Sequence, residues 1–165
     1  MNNVNLNYEE KISSMWTELL FLALALIFLL LSIWRLTAVA FDVLTVVCLF
    51  FFVVFTFYSL NYYRLIIRIS NNEVRLAFGI FSWTVPFSDI EGIQSDDNLP
   101  ALYKYGGAGV HFFLTGNRYR VSFNFLEYSR VAIRLKQKVG PVTDVSFSTR
   151  RPEEVIRLIT ERVNE

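Results

Sequence analysis

Cysteine, histidine and charged residues are all scarce in this sequence. A single cysteine, Cys48, can form neither an internal disulfide nor a multi-cysteine metal site. A single histidine, His111, cannot supply a histidine-rich metal site, and no serine lies in a nucleophile-elbow context. The net charge of +1 is too weakly basic to favour a nucleic-acid partner. These shortages predict a chain that is not an enzyme, holds no cofactor or metal, and binds no nucleic acid.

Two long hydrophobic runs lie near the N-terminus. Leu19–Trp34 and Val43–Tyr62 contain 16 and 20 residues without a charge, and a bilayer-spanning helix needs about 20 apolar residues. A short connection joins the two runs. Aromatic residues gather at their ends, as expected at membrane interfaces: Trp16, Trp34, Tyr58, Tyr62 and Tyr63. We therefore expect residues 1–62 to form an N-terminal tail and a transmembrane hairpin, with helices at about 15–34 and 43–62.

Two alternatives to this hairpin are a buried helical hairpin in a soluble protein and a cleaved signal peptide. The 103 residues that follow are too few to cover two helices that are apolar all round. Ala38-Val39-Ala40 resembles a cleavage site, but the second run would still anchor the chain. Arg35 is the only basic residue in the hairpin loop, whereas two basic residues, Arg64 and Arg68, follow the second run. The positive-inside rule then places both termini in the cytoplasm, with two spans in the cytoplasmic membrane.

Asp42 lies at the start of the second run. An acid within a membrane segment is a candidate functional group, and a transport subunit built on Asp42 would require oligomers. The simpler interpretation is an interfacial carboxylate paired with Arg35. Cys48 is interpreted as a small apolar packing residue.

From residue 63 onward the hydrophobic pattern has a period of two, which is typical of strands. Apolar and polar residues alternate in Tyr63–Ser70 and in Glu73–Phe78, and an Asn71-Asn72 turn separates the two segments. This pattern predicts a hairpin. Further alternating segments predict about seven short antiparallel strands in all. At the end of the chain, Pro152 suits a first helical position and begins an amphipathic helix over 152–164.

Three strings give the chain a resemblance to a known group: YRLIIRISNNEVRLAFGIF directly after the helix hairpin, then VPFSDIEGI, then FSTRRPEEVIRLI. It resembles the bacterial pleckstrin-homology-like (PH-like) membrane protein family, whose members are largely uncharacterised. The resemblance implies an α+β membrane protein, with a PH-like antiparallel β-barrel of about seven strands and one C-terminal α-helix over residues 63–165. It implies a cytoplasmic β domain and little about function.

Candidate binding residues fall into three groups. Arg150 and Arg151 precede the last helix, whose N-terminus could bind an anion, and Arg64 and Arg68 follow the second run. Strand residues form a basic face that either meets anionic lipid or only solubilises the sheet: Arg118, Arg120, Arg130, Arg134 and Lys136. A candidate interaction loop contains Tyr103, Tyr105, Gly106 and Gly107.

The acidic residues Asp89, Glu91, Asp96 and Asp97 could hold a divalent ion, but the calcium-loop spacing is absent, and a solvated loop is the preferred interpretation. An unrecognised catalytic site around Tyr103, Tyr105 and His111 is a further alternative. The leading hypothesis is a non-catalytic, membrane-anchored interaction or scaffold module that binds another membrane protein or itself. The alternative is a sensor of anionic lipid or a small anion at the membrane surface.

Overall fold

The structure, a computed structural model, describes residues 6–38, 41–96, 109–115 and 118–164. The chain divides into two compact units. One unit is Ser14–Tyr63, and the other combines Met1–Ser13 with Arg64–Glu165. The first is helical and the second is built mainly from strands.

The helical unit consists of α1 (Met15–Ala38) and α2 (Val43–Asn61). Both helices are long and apolar enough to cross a membrane, and most of their side chains are not buried within the protein. At 1.5 Å per residue, α1 is about 36 Å long and α2 about 28 Å, against a hydrocarbon core of about 30 Å. The two predicted helices are therefore confirmed, with α1 continuing four residues beyond Trp34.

Stacked aromatic rings join α1 to α2. The Phe28 ring centroid lies 5.1 Å from that of Phe51 and 5.5 Å from that of Phe55. Phe21 lies 5.3 Å from Tyr58 in the same way. Such pairs add about 0.5–1.5 kcal/mol beyond the area they bury.

Asp42 caps the start of α2. Its Oδ1 accepts hydrogen bonds from the Thr45 amide at 2.9 Å and the Thr45 hydroxyl at 2.8 Å. Its other carboxylate oxygen accepts from the Arg35 guanidinium. The predicted pairing of Asp42 with Arg35 is confirmed, and the carboxylate has a structural role at this helix end.

Nine strands occur among the described residues, in two sheets. The first is antiparallel with order β1-β2-β3-β4: β1 (Leu6–Ile12), β2 (Leu65–Ser70), β3 (Glu73–Phe78) and β4 (Phe81–Pro86). The second has order β5-β8-β9-β7-β6: β5 (Ile90–Ser95), β6 (Gly109–Thr115), β7 (Arg118–Asn124), β8 (Arg130–Val139) and β9 (Val142–Ser148). The terminal helix α3 (Pro152–Val163) agrees with the helix predicted over 152–164.

The sequence pattern did not predict β1. It placed the whole of residues 1–62 with the helical hairpin, whereas β1 pairs with β2 and belongs to the β unit. Among the residues of this strand whose burial the structure describes, Ile12 alone is a fully buried apolar residue, and the strand carries little hydrophobic alternation. The pairing of Ile12 with Leu65 means that the hairpin is inserted between two neighbouring strands of one sheet.

The predicted closed barrel is also corrected, because the two sheets remain separate. In addition, β7 and β9 are parallel neighbours, whereas an all-antiparallel arrangement was expected. The reason is that β9 inserts between β7 and β8. Alternation along a strand reveals which face is apolar but gives no information on the direction of its neighbours.

The core lies on the apolar faces of the strands. Phe78 of the first sheet and Phe125, which follows β7, have ring centroids 4.9 Å apart. Val155 and Ile159 of α3 are fully buried, and this helix contacts β5. Pro152 at its start and Glu153 and Glu154 in its first turn suit a helix N-terminus.

Candidate functional site

Both faces of the five-stranded sheet are buried along its central strands. One face carries core residues such as Val121, Phe123 and Val145, each at most 1% exposed. The opposite face is polar and equally buried. Its members lie on β7 and β9 and are no more than 6% exposed: Arg120, Ser122, Asn124, Asp144, Ser146 and Ser148. Buried polar groups of this number require partners, so this face is the first candidate site.

Arg120 is the centre of an ion network on the polar face. Its Nη1 lies 2.7 Å from Asp96 Oδ2, and its Nη2 lies 3.5 Å from Asp144 Oδ2. Arg118 Nη1 contacts the other oxygen of Asp144 at 3.2 Å. Two arginines thus balance two carboxylates. Asp96 lies one residue beyond β5, and its amide donates to the Arg130 carbonyl.

A cavity of about 160 Å³ lies beside this network. At ~30 Å³ per water it has room for roughly five water molecules or one small polar molecule. The side chains of Glu91 and Arg134 form no ion pair or hydrogen bond with any described residue. Charged and polar residues and one glycine contribute to the lining: Glu91, Gly92, Gln94, Arg120, Arg134 and Asp144.

Three buried polar atoms on the polar face have no hydrogen-bond partner in the described part of the chain. They are Nε of Arg120 and the hydroxyl oxygens of Ser122 and Ser146. The two serines are register partners on β7 and β9, and Ser146 also faces Ala132, which lines the cavity. Buried unsatisfied groups of this kind are usually satisfied by water or by a ligand.

This arrangement corrects the interpretation of a basic outer face. Arg120 and Arg130 are 6% and 4% exposed, so they neither solubilise the sheet nor meet lipid. Asp96, predicted as part of a solvated acidic loop, is 8% exposed and paired with Arg120. Arg134 and Lys136 are exposed. One feature of the sequence indicates that Arg120 is buried: small polar residues alternate in phase with Arg120 on β7 and with Asp144 on β9.

The four arginines predicted to bind an anion do not form one cluster in the structure. Arg68 on β2 donates to Glu9 of β1 at 3.1 Å, and Arg151 contacts Glu154 at 3.2 Å. Arg64 is exposed and lies in the three-residue segment between α2 and β2. Their role in binding remains a prediction.

Arg150 approaches the end of the sheet at which the chain enters α1. Its Nη2 donates to the Tyr128 hydroxyl at 3.2 Å, and its guanidinium lies 5.2 Å from the centre of that ring. The Tyr128 hydroxyl donates in turn to the Ser13 carbonyl at 2.9 Å, two residues before α1 begins. Arg150 is therefore linked to the connection between the two units.

A carboxylate of the chain itself lies at the N-terminus of α3, where the sequence predicted an anion. Glu10 Oε1 accepts from the Arg150 amide at 2.9 Å, and Oε2 accepts from the Thr149 hydroxyl at 2.6 Å and the Tyr8 hydroxyl at 3.0 Å. Thr149 Oγ1 accepts from the Arg151 amide at 3.1 Å. Burial raises the pKa of the Tyr8 hydroxyl well above its usual range, and the charge of Glu10 acts in the same direction.

The second candidate site is the edge strand β6. Phe112 and Leu114 are 62% and 48% exposed, and Tyr119, the register partner of Leu114, is 48% exposed. Phe112 faces Val121 across the strands, so these side chains continue the apolar core face beyond its covered part. His111 faces Ser122 on the polar side of the same strand.

The predicted interaction loop with Tyr103, Tyr105, Gly106 and Gly107 lies outside the described residues. Within the described ranges, no group of three or more His, Cys, Asp or Glu side chains is arranged to hold a metal ion. Comparisons with known protein families, with curated proteins and with solved structures gave no match.

Proposed function

We propose that this protein is a non-catalytic interaction module, anchored in the cytoplasmic membrane by α1 and α2, that associates with a second copy of itself through β6. The pairing of β1 with β2 supports the membrane topology. These strands flank the hairpin, so they must lie on the same side of a bilayer, which two spans achieve. The arginines after α2 favour the cytoplasmic side. Cleavage after Ala40 would separate β1 from its partner, which argues against a signal peptide.

A PH-like fold is part of this proposal. A four-stranded antiparallel sheet, a second sheet and a terminal helix support it. The parallel pairing of β7 with β9 departs from the expected antiparallel pattern. The proposed PH-like unit is thus a variant with a strand inserted into its second sheet.

The exposed apolar edge of β6 is the observation that carries the proposed self-association. Among the described strands, β6 is an outer strand of its sheet, and its seven residues include no charged side chain. Soluble proteins usually protect such edges with charges, prolines or bulges, because an unprotected edge pairs with other strands. Phe112 and Leu114 would gain burial if the edge were covered.

Two copies of β6 can pair in antiparallel orientation with their apolar residues opposite one another. A two-fold axis at Phe112 places Val110 opposite Leu114 of the second copy, and it places His111 opposite Phe113. The apolar residues then share one face. Of the registers that keep the apolar faces together, this one alone pairs all seven residues of the strand.

Disulfide cross-linking tests this register directly. In a Cys48→Ala background, Phe112→Cys should form a disulfide-linked dimer in native membranes, because residues directly opposite in antiparallel strands have Cα atoms about 4.5–5.5 Å apart. The matched control, Leu114→Cys, lies opposite Val110 in this register, so its two copies are too far apart to link.

Each outcome of the cross-linking has a defined meaning. Dimer at position 112 and none at 114 supports pairing through β6. Equal cross-linking at both positions, or none at either together with a monomeric mass in mild detergent, refutes it. Recovery of a different stoichiometric membrane protein that Phe112→Asp releases would assign β6 to a heterologous partner and refute self-association.

A second candidate function, sensing of anionic lipid headgroups, is favoured by the link from Arg150 through Tyr128 to Ser13. Arg64, three residues beyond α2, lies at the other connection. Each basic residue close to an anionic leaflet contributes about 1 kcal/mol to the free energy of binding to the membrane surface. Anionic lipid recovered with the purified protein should decrease in Arg150→Gln. The control Arg157→Gln, on the exposed face of α3, should leave it unchanged.

A further inference from the structure

The two ends of the first sheet differ in polarity. At one end, the β2–β3 turn consists of Asn71 and Asn72, both exposed. At the other end, the β3–β4 turn consists of Gly79 and Ile80, and Ile80 is 73% exposed. Turns favour Gly, Pro, Asn, Asp and Ser, so an exposed, β-branched isoleucine at a hairpin tip is unusual. Gly79 has φ +57°, a conformation that suits glycine and supports this tight turn.

The apolar end is also the end at which the chain leaves for the hydrophobic helices. Strand register places Ile12, Leu65, Phe78 and Phe81 in one row across the four strands. Two residues follow Ile12 before α1 begins, and three residues precede Leu65 after α2 ends. At about 3.5 Å per residue, each helix therefore begins or ends within about 10–14 Å of this row along the chain.

Phe81, next to Ile80 and 38% exposed, enlarges the apolar tip. The row spans about 14 Å at ~4.8 Å per strand, so the tip lies a short lateral distance from both connections. The headgroup region of each leaflet is about 5–8 Å thick. The lengths of the two connections therefore allow a tip at this end of the sheet to reach the boundary of the acyl chains.

We infer that the β3–β4 turn, with Ile80 at its tip and Phe81 beside it, inserts into the lipid interface as a third membrane contact. This inference rests on the proposed anchoring by α1 and α2. The turn would hold the first sheet with its Asn71-Asn72 end directed away from the bilayer. The contact is apolar and requires no particular headgroup.

Environment-sensitive fluorescence on the full chain tests this contact. Single cysteines in a Cys48→Ala background are labelled with a nitrobenzoxadiazole dye and reconstituted into vesicles of phosphatidylcholine and phosphatidylglycerol. Some vesicles also contain lipid with a nitroxide near the top of the acyl chain, and others contain lipid with a nitroxide near the end of the acyl chain. The test position is Ile80→Cys, the control at the opposite end of the sheet is Asn72→Cys, and the control within α2 is Val53→Cys.

We expect the dye at position 80 to shift its emission to the blue and to lose emission in nitroxide vesicles, as at position 53, whereas position 72 shows neither effect. If position 53 is quenched and position 80 behaves like position 72, the inserted turn is refuted and the anchoring stands. If position 80 is blue-shifted but not quenched by nitroxide lipid, protein rather than lipid covers it, which also refutes the inference. If position 53 is not quenched either, the proposed anchoring fails as well.

Discussion

Arg120→Met is the substitution that most directly tests the ion network of the polar face. Methionine keeps most of the side-chain length but removes the guanidinium that contacts Asp96 and Asp144. These carboxylates are 8% and 5% exposed, so they stay largely buried once the guanidinium is gone. Breaking a buried pair on one side costs about 3–5 kcal/mol. That is a large part of the ~5–15 kcal/mol by which domains are stable.

The matched control is Arg118→Met. Arg118 contacts the same Asp144, but its side chain is 42% exposed. Asp144 keeps Arg120 in this variant, and an ion pair whose cation reaches solvent contributes about 0–1 kcal/mol, so the control should change the free energy of unfolding little. A triple variant, Arg120→Met with Asp96→Asn and Asp144→Asn, should recover part of the loss because no unpaired charge remains buried.

Urea unfolding in mild detergent, followed by Trp83 fluorescence after replacement of Trp16 and Trp34 by phenylalanine, reports on the β unit alone. With a slope of about 2 kcal/mol per molar urea, Arg120→Met should lower the midpoint by roughly 2 M. A midpoint within 0.5 M, roughly 1 kcal/mol, of the control would refute the network as a stabilising feature. Failure of the triple variant to recover would show that packing, not charge, causes the loss.

Three further predictions concern the contacts at the start of α3 and at the start of α2. Glu10→Gln should weaken the hydrogen bond to the Thr149 hydroxyl, since bonds to a charged acceptor contribute about 1.5–3 kcal/mol, and faster amide exchange across β1 would show it. In an alkaline absorbance titration, Tyr8→Phe should leave the tyrosine ionisation near pH 10 unchanged, because the raised pKa keeps Tyr8 protonated there. The stability that Tyr8 gives the folded state is present below about pH 10 and is lost as the pH rises through the folded-state pKa. Asp42→Ala should cost about 0.5–2 kcal/mol through loss of the cap to Thr45, measured as increased helix fraying by circular dichroism of the full chain in detergent.

The elements predicted from the sequence are those encoded by local periodicity. An uncharged run of about 20 residues specifies a long apolar helix wherever it is placed, so α1 and α2 were predictable. The same holds for α3, where Pro152 and two acidic residues mark the start of an amphipathic pattern. Strands β2 and β3 were predictable because one face of each is apolar and a polar turn joins them.

The candidate sites depended on partners distant in sequence. Glu10 and Thr149 are 139 residues apart, and Asp96 and Arg120 are 24 apart. A charged residue on a strand is normally interpreted as facing solvent, and only the small polar residues in phase with Arg120 distinguished it locally from exposed Arg134. The interpretation of Arg120 as part of a basic surface failed for this reason.

The sequence by itself determined that two apolar helices precede a unit built mainly from strands and ending in an amphipathic helix, because length and period are properties of a single segment. Only the tertiary structure decided that β1 joins the β unit across the inserted hairpin, that β9 lies between β7 and β8, and that Glu10 contacts the N-terminus of α3. Each of these depends on which edges and faces meet. Many pairings of short strands satisfy the same alternation, and the choice among them is made by the burial of complementary surfaces from the whole chain.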